Sequence, residues 1–258
     1  MLPAATDVLF DVRDRVALVT GAGRGIGSII ARGLAESGAH VALAARSRDE
    51  VSRLMEELSA NGRTASAHFV DVLDRASIDL LVGEAIARHG RIDILVNNAG
   101  AKVNQPAEDV TEEAWDRVLD TNLKGAFFVA QAVGRHMLER GSGKIINVAS
   151  TYAVVAARDR TTYAVSKGGL LQMTRSLALE WAGRGVNVNA IGPTSIETPM
   201  NAELFTDPAW RETALEKIPA GRFATPEDLI GPVIFLASSA SDMVHGHLLL
   251  VDGGWTAA

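Results

Sequence analysis

The sequence predicts an α/β fold: a doubly wound parallel sheet with helices packed on both faces. Three observations carry the prediction. Short apolar runs of strand length alternate with longer helix-period segments along all 258 residues, the pattern of successive βαβ units. The first apolar run leads directly into a glycine-rich turn that opens a helix, Thr20-Gly21-Ala22-Gly23-Arg24-Gly25-Ile26-Gly27. No linker, low-complexity tract or internal repeat interrupts the chain, so one domain over residues 1–258 is expected.

The elements follow in order. Val16-Ala-Leu-Val-Thr20 is short, β-branched and bounded by the glycine turn, hence a strand. Ile26 to Ser37 has helical periodicity and stops at Gly38. His40 to Ala45 is the second strand, and about 48–60 is a polar helix ended by Asn61-Gly62. A third strand, Ser66 to Val70, precedes a helix over about 75–89, and a fourth runs from Ile92 to Val96. Helices are expected over about 111–139 and 160–183, with a strand at 144–149 between them. Val186 to Ile191 is the sixth strand; a helix near 226–238 leads to a last strand from His247 to Val251. Such sheets bind ligands beyond the carboxyl ends of their strands, so functional residues should sit just after strands.

Composition narrows the function. Hydrophobic residues make up 47% and charged residues 22%, ordinary for a globular chain. A net charge of −6 argues against a nucleic-acid binder, which usually shows a basic face. With no cysteine, disulfides, thiol nucleophiles and iron–sulfur clusters are excluded. The start, with three aspartates before residue 15, does not read as a secretory signal. No apolar run approaches the ~18 residues of a membrane span. The cytoplasm is the expected compartment. The six histidines form no HExxH, no metal role is expected for His245 and His247, and no GxSxG elbow is present. Glutamates 56–57 and 112–113 read as solvated helix faces, and Trp115 and Trp181 as packing residues.

The first turn fits GxxxGxG at Gly21, Gly25 and Gly27 rather than a nucleoside-triphosphate loop, because no Gly-Lys-Ser/Thr follows. Glycines there admit a pyrophosphate to the backbone, and the helix N-terminus supplies N–H donors. The second strand ends in Ala45-Arg46-Ser47, where a carboxylate would grip a ribose 2′-hydroxyl and an arginine a 2′-phosphate. With Arg24 as a second cation, NADP(H) is expected over NAD(H). Tyr163 and Lys167 stand at i and i+4 and share a helix face. A nearby cation is expected to lower the phenol from its usual value near 10. Ser150, thirteen residues before Tyr163 and ending a strand, can hold a substrate oxygen where charge develops.

These residues resemble the short-chain dehydrogenase/reductase family over essentially the whole chain. Gly21, Gly25 and Gly27 match its glycine motif, Asp71-Val72 its adenine-contacting pair, Asn97-Asn98-Ala99-Gly100 its NNAG motif, and Asn122, Ser150, Tyr163 and Lys167 its catalytic tetrad. The resemblance implies a Rossmann fold and an oxidoreductase interconverting a secondary alcohol and a ketone. It implies that Tyr163 exchanges the proton, Lys167 also binds ribose hydroxyls, and Asn122 anchors a relay water. Arg24, Ile26, Arg46, Ser47, Asn98, Ala99, Gly100, Pro193, Ile196 and Thr198 are implied to line the cofactor. One departure stands out: Gly192-Pro193-Thr194 replaces the family's usual Pro-Gly, which restricts the backbone beside the nicotinamide. Residues 131–140, 158–160 and 246–254 look similar to gluconate 5-dehydrogenases, and the general surroundings also resemble 3-oxoacyl-carrier-protein reductases. A non-catalytic dinucleotide-binding regulator is the alternative from another class. The family has a mobile lid over about 199–218, in which Trp210 either packs or touches substrate. The helix of 160–183 is apolar on several sides, through Ala164, Gly168, Leu170, Leu171, Met173, Leu177 and Leu179. With Ala126-Phe127-Phe128-Val129 as its neighbour, a homotetramer is expected, binding a small-molecule alcohol or ketone and neither nucleic acid nor membrane.

Overall fold

The computed structural model describes residues 8–198 and 202–257, residue 204 by its backbone alone. The elements run β1 Val16–Thr20, α1 Gly25–Glu36, β2 His40–Ala45, α2 Arg48–Ala60, β3 Ala65–Phe69, α3 Arg75–His89, β4 Ile94–Asn97, α4 Glu112–Leu119 and α5 Ala126–Arg140. They continue with β5 Gly143–Val148, α6 Thr161–Trp181, β6 Val186–Pro193, α7 Ala202–Thr206, α8 Pro208–Leu215, α9 Pro226–Ala237 and β7 Leu248–Val251. The strands form one seven-stranded sheet in the order β3-β2-β1-β4-β5-β6-β7. Every pairing is parallel. The order turns back between β1 and β4, so the crevice beyond their carboxyl ends is where a ligand belongs.

Each face of the sheet has its own core, which explains why β1, β4, β5 and β6 are buried along their whole length. One core packs Ile30, Leu34, Val51, Leu54, Leu229 and Val233 of α1, α2 and α9 against the sheet. The other packs Ile78, Leu81, Val129, Val133, Met137 and Leu177 of α3, α5 and α6. Trp181 is buried there against Gly134, where an added methyl would lie 2.7 Å from the indole.

Several sequence expectations are corrected. The single helix expected over 111–139 is three pieces: α4, a π-helical turn from Asp120 to Gly125, and α5. Gly125 permits the wide turn, since a Cβ there would meet the Val72 carbonyl at 2.8 Å. The sixth strand runs two residues further, because Gly192 and Pro193 pair with Leu250 and Val251 of edge strand β7; proline is tolerated at a strand end, where its missing N–H costs little. β3, β4, β5 and β7 are offset by one or two residues at one or both ends. Trp115 is 39% exposed rather than packed.

Candidate active site

Gly21 and Gly25 adopt positive φ (63° and 57°), a region L side chains rarely enter, and so curl the loop between β1 and α1. Gly27 is required by proximity: a Cβ there would sit 2.2 Å from the Gly21 carbonyl oxygen and 2.4 Å from Asn98 Nδ2. The helices α2, α3 and α4 are capped by Ser47, Asp74 and Thr111. By contrast α1 has Arg24 at its cap, no side-chain acceptor and no acid in its first turn. Its leading N–H groups are therefore left for an anion, which fits a dinucleotide pyrophosphate.

The loop is held from below. Asn98 Nδ2 donates to the carbonyls of Thr20 and Gly21 at 3.0 and 3.1 Å. Thr20 Oγ1 accepts from the backbone N–H groups of Asn98 and Ala99, both at 3.1 Å. Asn97 is spent elsewhere: its Nδ2 bonds the Ala126 carbonyl and Asn147 Oδ1, tying β4 to α5 and β5. At the far end of the crevice Arg46 is exposed beyond β2. Arg24 lies 3.8 Å from Glu50 on the surface. Asp71 accepts from Leu73 N–H at 3.0 Å, and Val72 is buried beside Gly125. Thr198 lies against Gly25, where a methyl would touch its Cβ at 3.6 Å, and Ile196 is buried.

The four tetrad positions converge at the ends of β4 and β5. Asn122 sits in the π turn, 1% exposed. Its Nδ2 donates to the Ala101 carbonyl (2.9 Å) and Ser166 Oγ (2.9 Å), and its Oδ1 accepts from Ala101 N–H (2.7 Å). Ser166 Oγ in turn donates to the Tyr163 carbonyl at 2.7 Å, so the π turn is bonded to the helix carrying Tyr163 and Lys167. Ser150 lies two residues beyond the end of β5, where it caps the short turn of Thr151–Ala153 and accepts from Tyr152 N–H at 3.2 Å. Lys167 is 5% exposed; its Nζ donates to the Val148 carbonyl at 2.6 Å and stands 5.6 Å from the Tyr163 ring centroid. Tyr152 meets Tyr163 edge-on at 6.1 Å and Trp255 at 5.7 Å.

The electrostatics correct one expectation. Lys167 does not hold the phenol below its usual value in this geometry. Burial pushes Tyr163 up to about 12, against a hydrogen bond from Ser150 that pulls the other way and a smaller contribution from the Arg160 charge. Burial also lowers Lys167, to about 8. Desolvation outweighs the pairwise attraction because both groups share the dry wall of the crevice. The Thr194 departure proves sterically benign, since its φ is not positive. Its hydroxyl is buried with no hydrogen-bond partner among the described residues, a polar atom beside Pro193 that could serve a ligand.

Of the lid expectation, residues 199–201 lie outside the described residues. The rest forms α7 and α8, where Trp210 stacks parallel on Phe223 at 5.8 Å and Phe205 packs against both. Trp210 thus packs against Phe205 of this segment and against Phe223 beyond it. Sequence reasoning missed the supporting roles of Thr20, Ala101 and Ser166, whose only signal was adjacency to the motifs.

A family model described as Enoyl-(Acyl carrier protein) reductase matches residues 21–256. The chain is 42% identical over 247 residues to the 2-dehydro-3-deoxy-D-gluconate 5-dehydrogenase of Pseudoalteromonas atlantica, covering 95% of this chain and 97% of that one. It is 41% identical to the D-threitol dehydrogenase of Mycolicibacterium smegmatis, covering 98% and 96%. Among solved structures, a gluconate 5-dehydrogenase from Burkholderia cenocepacia in complex with NADP and tartrate superposes with a TM-score of 0.94 at 40% identity, covering 96% of this chain and 98% of that one.

Proposed function

Since the chain belongs to the short-chain dehydrogenase/reductase family, as an NAD(P)-dependent oxidoreductase of CH–OH and C=O groups, we propose that it interconverts a secondary alcohol and a ketone on a sugar acid of the gluconate type, with NADP(H) preferred over NAD(H). The observation that carries this reading is the convergence of Ser150, Tyr163 and Lys167, braced by Asn122 through Ser166, beside the glycine cradle of Gly21, Gly25 and Gly27. The sugar-acid assignment draws on relatives that act on gluconate derivatives and on the related structure holding tartrate, a hydroxy acid. The NADP(H) preference draws on Arg46 and Arg24 and on the missing acid at Ala45.

The first-turn N–H groups of α1, Ile26 among them, bind the pyrophosphate. Arg24, Arg46 and Ser47 take the adenosine 2′-phosphate. Asp71 and Val72 border the adenine, Ala99 and Gly100 the ribose, and Pro193, Thr194, Ile196 and Thr198 the carboxamide. NADP(H) supplies the hydride and, when oxidised, a positive charge near the phenol. Tyr163, with a pKa near 12, stays protonated at neutral pH and so donates to the carbonyl oxygen in reduction. Ser150 hydrogen-bonds that oxygen. Lys167 carries its proton at pH 7, binds the ribose and stabilises the phenolate needed for oxidation. Asn122 holds the water that returns a proton to Lys167.

We read residues 199–218 as the lid and residues 1–258 as one domain. A homotetramer is supported by Leu179, 87% exposed on α6, and by a cavity of ≈ 370 Å³ lined by Leu119, Leu123, Phe127, Phe128 and Met173. Nothing in a cysteine-free chain requires an oxidising compartment, and we assign it to the cytoplasm.

Tyr163→Phe tests the reading. It keeps NADPH binding, followed by fluorescence, and loses turnover by about 10²- to 10⁴-fold. Near wild-type kcat in Tyr163→Phe refutes the assigned proton donor. Absence of turnover in the wild type across gluconate, simple ketones and 3-oxoacyl thioesters favours the regulator instead.

A further inference from the structure

The segment after β4 and the loop before α6 are joined: Gln105 N–H donates to the Asp159 carbonyl at 3.3 Å. The joint brings together the two segments that carry Lys102 and Arg160, close enough for the Arg160 charge to act on Lys102. Lys102 lies two residues beyond Gly100 and is half-buried; it makes no ion pair or side-chain hydrogen bond among the described residues. Arg160 lies three residues before Tyr163, partly buried, and among the described residues its guanidinium reaches only the neutral Asp159 carbonyl, at 3.4 Å. The Asp159 carboxylate is exposed and pairs with neither, and Arg158 adds a third cation at the exposed rim. Both backbones are clamped to the catalytic scaffold. Ala101, next to Lys102, is held at N–H and carbonyl by Asn122, and the Arg160 carbonyl accepts from Ala164 N–H at 2.8 Å. Burial and the Arg160 charge both lower Lys102, and the Arg160 field also reaches Tyr163.

Two partly desolvated cations within each other's field, with no counter-ion among the described residues, form a costly arrangement unless an anion completes it. A carboxylate between them relieves the repulsion and accepts charge-assisted hydrogen bonds from both. The half-burial of Lys102 favours a small carboxylate over the surface of an acidic protein. We propose that Lys102 and Arg160, with Arg158 at the rim, clamp the carboxylate of the substrate and so select sugar acids over neutral polyols at the Tyr163 centre. This rests on reading that centre as the site of the oxidoreductase reaction, and it decides a question the relatives leave open, since one acts on an acid and another on threitol.

The test measures kcat/KM for D-gluconate and for its neutral amide, D-gluconamide, in the wild type and in Lys102→Gln, Lys102→Arg and Arg160→Gln. The acid-to-amide ratio cancels any general damage to folding or to the hydride step. The clamp requires that ratio to fall about 10-fold or more in Lys102→Gln and in Arg160→Gln, through KM for the acid. It also requires Lys102→Arg to keep most of the ratio, and added salt to raise the acid KM less in the neutralised variants than in the wild type. If the wild type oxidises gluconate and all variants keep its ratio, the clamp is refuted and the sugar-acid reading stands. If the wild type prefers the amide, D-threitol or a 3-oxoacyl thioester, the sugar-acid reading and the clamp both fall.

Discussion

Two glycine-to-alanine exchanges, both within helices, should act in opposite directions. At Gly27 the new methyl would lie 2.2 Å from the Gly21 carbonyl oxygen and 2.4 Å from Asn98 Nδ2, about 1 Å short of ordinary contact. Neither neighbour can yield freely, since one is backbone and the other is pinned by bonds of 3.0 and 3.1 Å to Thr20 and Gly21. The loop must lift off α1. Overpacking of this kind costs about 1–3 kcal/mol, and a weakened Asn98 bond adds about 1 kcal/mol. A shift of about 1 Å also takes the α1 N–H groups out of hydrogen-bond range of a phosphate. Each charge-assisted bond lost is worth ~1.5–3 kcal/mol, so NADPH affinity should fall at least ~10-fold. At Gly83, exposed on α3, a Cβ meets nothing within 4 Å. There alanine only removes glycine's unfolded-state freedom and should stabilise by about 0.5–1 kcal/mol. At ~2–4 °C per kcal/mol for a chain of this size, Gly27→Ala lowers Tm by about 4–16 °C and Gly83→Ala raises it by about 1–4 °C. Thermal melts without cofactor and fluorescence titration with NADPH measure both. A Gly27→Ala protein that binds NADPH within twofold of wild type would show that the Gly21–Gly27 contact does not shape the site.

Three further outcomes follow from the same geometry. Between pH 8 and 10.5 the unfolded chain holds a proton on Lys167 that the folded chain has released, so the Lys167 contribution to stability improves as pH rises through that window. Lys167→Met should therefore gain most in Tm at pH 7 and lose that advantage by pH 10; a gap independent of pH refutes the buried lysine. Tyr163, raised to about 12, acts in the opposite sense above pH 10. Asn122→Ala leaves Ala101 and Ser166 without their partner, and should lower Tm and cut kcat at least ~10-fold with little change in KM for cofactor; unaltered kcat dismisses the brace. Ala45→Asp combined with Arg46→Ala should lower the NADPH-over-NADH ratio of kcat/KM by ~10-fold or more, and an unchanged ratio means that Arg46 plays no part in cofactor choice.

The glycine loop and the Tyr163–Lys167 spacing were legible because both depend on local geometry: a strand, a turn and one helical face. The π turn at Asp120–Gly125 was not, because Leu119, Leu123 and Phe127 keep a helical rhythm across it. The glycine that closes it answers to the Val72 carbonyl, more than fifty residues away, which leaves no room for a Cβ. The motif marked Asn98 as lining the cofactor but did not reveal that its amide bonds carbonyls seventy-eight and seventy-seven residues earlier. The Tyr163 shift was misjudged because a pair rule was applied without the burial that only the folded crevice supplies. Lys102 carried no signal in sequence, since its meaning comes from Arg160 across a loop junction.

The strand order sets a timetable for the growing chain. β1 gains β2 early, but its other edge must wait for β4, because Ala17 pairs with Ile94. At about 5–20 residues per second, that partner emerges about 4–15 s after β1. Through that interval Ala17, Leu18 and Val19, all fully buried in the finished sheet, line an open edge able to recruit strands from other chains. Ribosome-stalled nascent chains report it directly: protease resistance of the β1 region should appear once β4 has left the exit tunnel and not before. β1, an interior strand of the finished sheet, is thus open along one edge during synthesis, and the site built on its carboxyl end cannot take shape until β4 arrives to close it.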